Sequence, residues 1–155
     1  MKYLIPLLSV CATPVFADCP DPSIDGPEFS VTGAELIAPQ SWDVQAHGTH
    51  VAPCAGWDGA FIQTDRVAGF LPIAPTAQFQ MDEMGAYILM VVVQAACDPV
   101  LAVRSQDGFW EFGETANGRQ EAVLWGAPNG GLQVWVGSAE RTSCDATVTL
   151  ETFDR

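Results

Sequence analysis

Gly131-Leu132-Gln133-Val134-Trp135-Val136-Gly137 alternates residue by residue, with Leu132, Val134 and Val136 on one side and Gln133 and Trp135 on the other. A period of two belongs to a β-strand that lays one face on a core. Ala146 to Phe153 repeats the pattern: Val148, Leu150 and Thr152 oppose Thr147, Thr149 and Glu151. Tyr87 to Val93 (YILMVVV) is instead continuously apolar, which predicts a strand covered on both faces. Val100 to Val103 follows Cys97-Asp98-Pro99, and Phe29 to Ile37 reads as a further strand with Gly33 inside it. Eleven prolines and 14 glycines punctuate the chain and leave little room for helices. Short strands between Gly, Pro, Asn and Asp turns predict an all-β sandwich or barrel. The stretch from Trp42 to Phe70 is the least regular, and is expected to hold strands together with the longest loops.

The first residues lie outside that pattern. Met1 to Ala17 (MKYLIPLLSVCATPVFA) carries one positive residue, Lys2, then an apolar run, then Val15-Phe16-Ala17 with small residues where a signal peptidase inspects the chain. The run is broken by Pro6 and Pro14 and is too short for a permanent membrane span. Lipoprotein processing at Cys11 would need a small residue where Val10 stands. The layout predicts a signal peptide over 1–17, an extended Pro- and Asp-rich lead-in over 18–30 (DCPDPSIDGPEFS), and a single domain over 31–155. The mature protein is expected in the periplasm or outside the cell.

Charge and cysteines then sharpen. The chain has 6 Lys+Arg against 19 Asp+Glu, a net charge of −13. Loss of Lys2 would leave five arginines, no lysine and a charge of −14. A polyanion must be met by clustered positive charge, so the balance argues against nucleic acid and anionic lipid as partners. Four cysteines remain after cleavage, Cys19, Cys54, Cys97 and Cys144, and an even number in an exported chain reads as two disulfides with three connectivities open. No CxxC or close Cys/His pair suggests structural zinc. Cys97 opens a strand and Cys144 opens another that is expected to return beside it, each followed by Asp, so we expect Cys97 to pair with Cys144, leaving Cys19 with Cys54 to pin the lead-in.

From Gly85 onward, GAYILMVVV, CDPVLAVRSQDGFWEF, GGLQVWVGS and CDATVTLETF together resemble the bacterial pre-peptidase C-terminal domain and its stand-alone secreted relatives. The resemblance spans about half of the chain, Gly85 to Phe153, and rests on strand and turn residues. It implies an antiparallel two-sheet β-sandwich, jelly-roll-like, and a non-catalytic role in binding a protein or polysaccharide. Some relatives bind calcium through an acidic pair after the Trp strand. Here Gly113 stands at the first of those positions and Glu114 at the second, so Asp98, Asp107, Glu114 and Asn117 are the oxygen donors that a calcium site would draw on. The competing reading makes Asp107-Gly108 and Asn117-Gly118 turn dipeptides, chosen because these residues tolerate positive φ. Apart from calcium, no cofactor is expected.

Two motifs invite a chemical reading. His47-Gly48-Thr49-His50-Val51-Ala52 matches the histidine signature of subtilisin-like serine proteases, in which the first His is the general base. No Asp-Ser-Gly or Asp-Thr-Gly precedes it and no Gly-Thr-Ser-Met-Ala follows it, so the match is judged a coincidence. His47 and His50 could instead be two ligands of a metal-dependent hydrolase, with Asp43 or Asp58 supplying a third, but an i, i+3 pair shares a face only on a helix. The five tryptophans, Trp42, Trp57, Trp110, Trp125 and Trp135, either pack the sandwich or present a stacking platform for a sugar ring. Trp135 is the candidate for an outward position, because Val134 and Val136 claim the opposite face.

Overall fold

The computed structural model describes residues 19–54 and 68–155. Residues 1–17, read from the sequence as a signal peptide, and Trp57 and Asp58 lie outside the described residues. Among the described residues twelve strands follow one another: β1 (Glu28–Thr32), β2 (Gln40–Ala46), β3 (His50–Ala52), β4 (Gly69–Leu71), β5 (Ala77–Asp82), β6 (Tyr87–Ala95), β7 (Pro99–Arg104), β8 (Trp110–Phe112), β9 (Glu114–Ala116), β10 (Arg119–Leu124), β11 (Gly130–Ser138) and β12 (Cys144–Asp154). They form the all-β, two-sheet sandwich expected from the sequence. One sheet is ordered β2-β12-β6-β10-β9. In the other, β11 pairs with β5 and β4 along one side and with β7 along the other; β1 extends β5, β8 extends β7, and β3 extends β4.

Alternation decides which side chains meet between the sheets. Leu89, Val91 and Val93 of β6 and Val148 and Leu150 of β12 face Phe79 and Met81 of β5, Leu132, Val134 and Val136 of β11, and Leu101 and Val103 of β7. Trp42 joins this core edge-on against Phe79, with ring centroids 4.7 Å apart. Thr152 also points inward and is buried, and its hydroxyl donates to the Gly33 carbonyl at 2.7 Å, which satisfies a group that would otherwise be costly to desolvate.

Four expectations are corrected. β1 and β5 run parallel, so the sandwich is not wholly antiparallel. The strand read over Phe29 to Ile37 stops at Thr32 and gives way to a 3-10 turn over Glu35–Ile37. Thr32 and Glu35 bond reciprocally there in the manner of a capping box: the Glu35 carboxylate accepts from the Thr32 amide (2.9 Å) and hydroxyl (3.0 Å), and the Glu35 amide donates to that hydroxyl. Tyr87 to Val93 is not covered evenly on both faces: on the outer face Val92 is buried but Ile88 and Met90 are only half-covered, because the outer side of this sheet carries polar neighbours such as Thr149 and Glu151. Finally, β12 runs beside β6, the strand that ends before Cys97, and not beside β7, the strand that Cys97 opens.

Both disulfides form as expected. The β6–β12 register that matches Ala95 with Ala146 brings Cys97 opposite Cys144 when carried two residues further, and their Cα atoms lie 6.0 Å apart. This bridge sits where the chain leaves one sheet for the other. Cys19 joins Cys54 with a Cα separation of 5.7 Å and ties the lead-in to the end of β3. Within that lead-in the Asp21 carboxylate accepts from the Ser23 hydroxyl (2.7 Å) and amide (2.9 Å), and the hydroxyl bond chiefly holds it below the ordinary carboxylate range.

Candidate functional site

The His47–His50 stretch is a crossover. β2 ends at Ala46 in one sheet, β3 begins at His50 in the other, and the backbone between them passes close against β4. The His47 amide donates to the Val136 carbonyl at 3.3 Å, and a Cβ on Gly48 would overlap the backbone of Phe70 and Leu71. The glycine of this motif is therefore explained by close approach of two backbones. His47 is exposed and His50 half-buried; Asp43 stands on β2, where the Thr147 hydroxyl donates to it. Among the described residues, no three His, Cys, Asp or Glu side chains gather as a metal-holding group.

The four oxygen donors named for calcium are dispersed. Asp98 lies in the β6–β7 crossover, beyond one end of β7, and its carbonyl accepts from the Ala139 amide. Asp107 lies beyond the other end of β7, in the turn to β8, where its carboxylate accepts from the Ser105 hydroxyl. Gly108 has φ +87°, its amide donates to the Ser105 carbonyl, and the Ser105 amide donates to the Phe109 carbonyl. Asn117 and Gly118 have φ of +53° and +77° and form the two-residue loop between β9 and β10. Both Gly dipeptides thus occupy turns that require positive φ.

Trp135 does project to the face opposite Val134 and Val136, but that face is not open. Its ring is fully buried in a second, smaller apolar cluster with Leu71, Val100, Ala102 and Phe112. Trp110 packs over it with centroids 4.9 Å apart, and the Trp135 indole N–H donates to the Ile73 carbonyl. It cannot stack on a ligand, because a register-paired neighbour two strands away supplies its cover.

The exposed aromatic side chains lie elsewhere. A cleft of about 550 Å³ opens at the β8–β9–β10 edge of the sandwich, bounded by the β7–β8 turn (Ser105, Asp107, Phe109) and by the loop leaving β10 (Trp125, Gly126, Ala127, Pro128). Phe109 and Trp125 both line it and are each 73% exposed. Trp110 and Phe112 contribute further aromatic surface, and Asp107, Glu111, Glu114 and Glu121 contribute carboxylates. Glu121 is ion-paired to Arg119 at 2.5 Å. Near this corner the buried Gln120 donates to the Thr115 hydroxyl, while its side-chain oxygen has no hydrogen-bond partner. The cleft's volume falls in the range of small-molecule and side-chain sites, and its mix of aromatic walls with a few polar groups is the composition such sites use. Asp107 and Glu114, two of the calcium candidates, both line this cleft; Asp98 and Asn117 do not.

Trp125 is one of the five tryptophans that the sequence offers as a stacking platform, but nothing singles it out from the others, and Phe109 is not among the candidates. The available signal is an aromatic beside a turn: Phe109 follows Asp107-Gly108, and Trp125 precedes Gly126 and Pro128. Outside a strand, no sheet face is offered to either ring.

No family model matches the chain, and no curated protein matches it significantly. Among solved structures, the pre-peptidase C-terminal domain of a collagenase from Bacillus anthracis aligns with 82% of this chain and 95% of its own length, at 8% identity and a TM-score of 0.46. That is the family which the C-terminal half resembles in sequence; the sandwich itself stands on the strand pairing described above.

Proposed function

We propose that this chain is an exported, non-catalytic β-sandwich that binds a protein or polysaccharide through the cleft at its β8–β9–β10 edge. The observation that carries this reading is the placement of Phe109 and Trp125, two large apolar side chains left 73% exposed on the rim of one cleft. Hydrating such rings is unfavourable, and clustered exposed aromatics mark interaction surfaces. Export is supported by the two disulfides, which persist in oxidising compartments, and by the layout of Met1 to Ala17. No helix among the described residues is long and apolar enough to cross a membrane.

Arrays of glycans and peptides probed with the full chain and with a Phe109→Ala/Trp125→Ala variant test the reading. Array signals should be lost in the variant while its melting temperature stays at that of the parent. Undiminished binding by the variant would overturn the assignment of the cleft.

A further inference from the structure

We infer that the cleft is the aromatic end of a longer track that holds an uncharged polysaccharide; this rests on the cleft being the binding surface proposed above. The first ground is the balance of charge. Asp107, Glu111, Glu114 and Glu121 line the cleft, but acid does not stand alone there. Glu121 pairs with Arg119, and Glu111 and Glu114 have partners of their own. The Arg104 guanidinium comes within 3.4 Å of where a Cβ on Gly108 would stand, and that of Arg155 within 3.7 Å of one on Gly126. Gly108 precedes Phe109 and Gly126 follows Trp125, so a positive group accompanies each exposed ring. A rim that sets both signs side by side steers in neither a cation nor an anion. Its carboxylates accept and its guanidiniums donate, which is what the hydroxyl groups of a neutral sugar require.

The second ground is the rings. Phe109 and Trp125 come from the two loops that bound the cleft, and their exposure leaves both within reach of a ligand. The apolar C–H face of a sugar ring covers a phenyl or indole face and leaves the hydroxyls at its edge for polar side chains to bond.

The third ground is what lies beyond the cleft. Ser105 lines it and also lines a second groove, of about 310 Å³, on the outer face of the sheet that holds β1, β5, β11 and β7. Gln78, Gln80, Gln106 and Gln133 line that groove, and Pro22 and Asp25 of the lead-in wall it on one side. Strand pairing sets Glu28, Gln78, Gln133, Arg104 and Trp110 in one row across five neighbouring strands, so the row leads from the groove to the cleft. Four steps of about 4.8 Å make a track of roughly 19 Å, long enough for several sugar rings. The lead-in holds two of the carboxamides: Gln133 donates to the Pro22 carbonyl (2.8 Å) and Gln78 to the Ile24 carbonyl (3.4 Å). Gln80 and Gln106 are exposed. The Gln106 side-chain oxygen accepts from the Gly131 amide at 2.8 Å, which fixes the carboxamide and leaves its N–H groups as donors. A carboxamide offers donor and acceptor without net charge, so a row of them suits a run of hydroxyls.

Titration of the full chain with a neutral β-glucan, a galactomannan and a soluble α-glucan, with anionic polygalacturonate, with cationic chitosan and with a pool of extended peptides tests the assignment. A neutral polymer should bind, with little dependence on salt. Its hexasaccharide should bind at least about tenfold more tightly than its disaccharide, because only the longer chain reaches both grooves. Phe109→Ala and Trp125→Ala should each weaken the hexasaccharide by about tenfold. Gln80→Ala should weaken it by about threefold and leave the disaccharide unchanged, and so should Gln106→Glu, which keeps the acceptor for the Gly131 amide and removes the donors. Melting temperatures should stay at that of the parent. Failure of every neutral polymer to bind would overturn the inference, and so would equal affinity for the two lengths. A peptide or a charged polymer bound through Trp125 in place of the neutral ones would overturn it while leaving the cleft as the binding surface. Binding of any probe that survives Phe109→Ala/Trp125→Ala would remove both.

Discussion

Trp125 and Trp135 are separated by one loop, yet one ring is 73% exposed and the other is fully buried. Trp135 sits mid-strand on β11, where the pleat aims it at the outer face of its sheet, and β8 folds over to cover it with Trp110 and Phe112. Trp125 follows the last residue of β10, just before Gly126 and Pro128, where no neighbouring strand can close over it. The contrast teaches that the role of an aromatic in this sandwich follows from what its strand's neighbours carry, and that the same indole either holds the sheet together or is left for a partner.

The strongest way to break that contrast is to truncate both rings. Trp135→Ala should cost about 3–5 kcal/mol of unfolding free energy in denaturant titration, because it empties the centre of the second apolar cluster. Equal destabilisation by Trp125→Ala would erase the distinction. A comparable loss, about 4 kcal/mol on the chain-entropy account, should follow Cys97→Ala/Cys144→Ala, since the bridge spans a sequence separation of 47. That bridge lies beyond the opposite end of β7 from the β7–β8 turn, so the variant, while folded, should keep its cleft ligand, as measured by the same titrations. Gly137→Ala should cost about 1–3 kcal/mol, because a Cβ there would overlap the Phe70 carbonyl and force β4 away from β11. Its thermal midpoint, compared with that of Gly118→Ala at an open turn of positive φ, separates crowding from backbone strain. Smallest of all, Trp125→Ala should change stability by no more than about 0.5 kcal/mol while shifting the emission maximum to the blue, since it removes a water-exposed indole. A red shift would place the exposed ring elsewhere.

Much of the fold was legible because alternation writes a strand's buried face directly into the residues. Leu132, Val134 and Val136, and Val148, Leu150 and Thr152, face the core as their spacing requires. Ala77, Phe79 and Met81 of β5 carry the same signature, and so do Trp42, Val44 and Ala46 of β2 within the stretch read as irregular. What alternation cannot supply is partnership. It set Trp135 on the correct face of β11, but the cover comes from β8, which reaches it through β7. Pairing of Cys97 with Cys144 was readable from the two Cys-Asp strand openings, whereas the strand beside β12 was not, since that depends on which way the chain crosses between sheets. The cleft was least legible. Phe109 and Trp125 lie in connections, where exposure is set by the path of the chain, and their convergence depends on two edges meeting that are distant in sequence.

The position of the Cys97–Cys144 bridge also bears on how the molecule would carry load. A pull applied beyond Asp154 peels β12 away from β2 and β6, breaking its ladder residue by residue toward Cys144. There the covalent link hands the tension to the β6–β7 crossover, which joins the central strand of one sheet to β7 of the other. Such a pull therefore frees no more than β12 before the force reaches strands of both sheets.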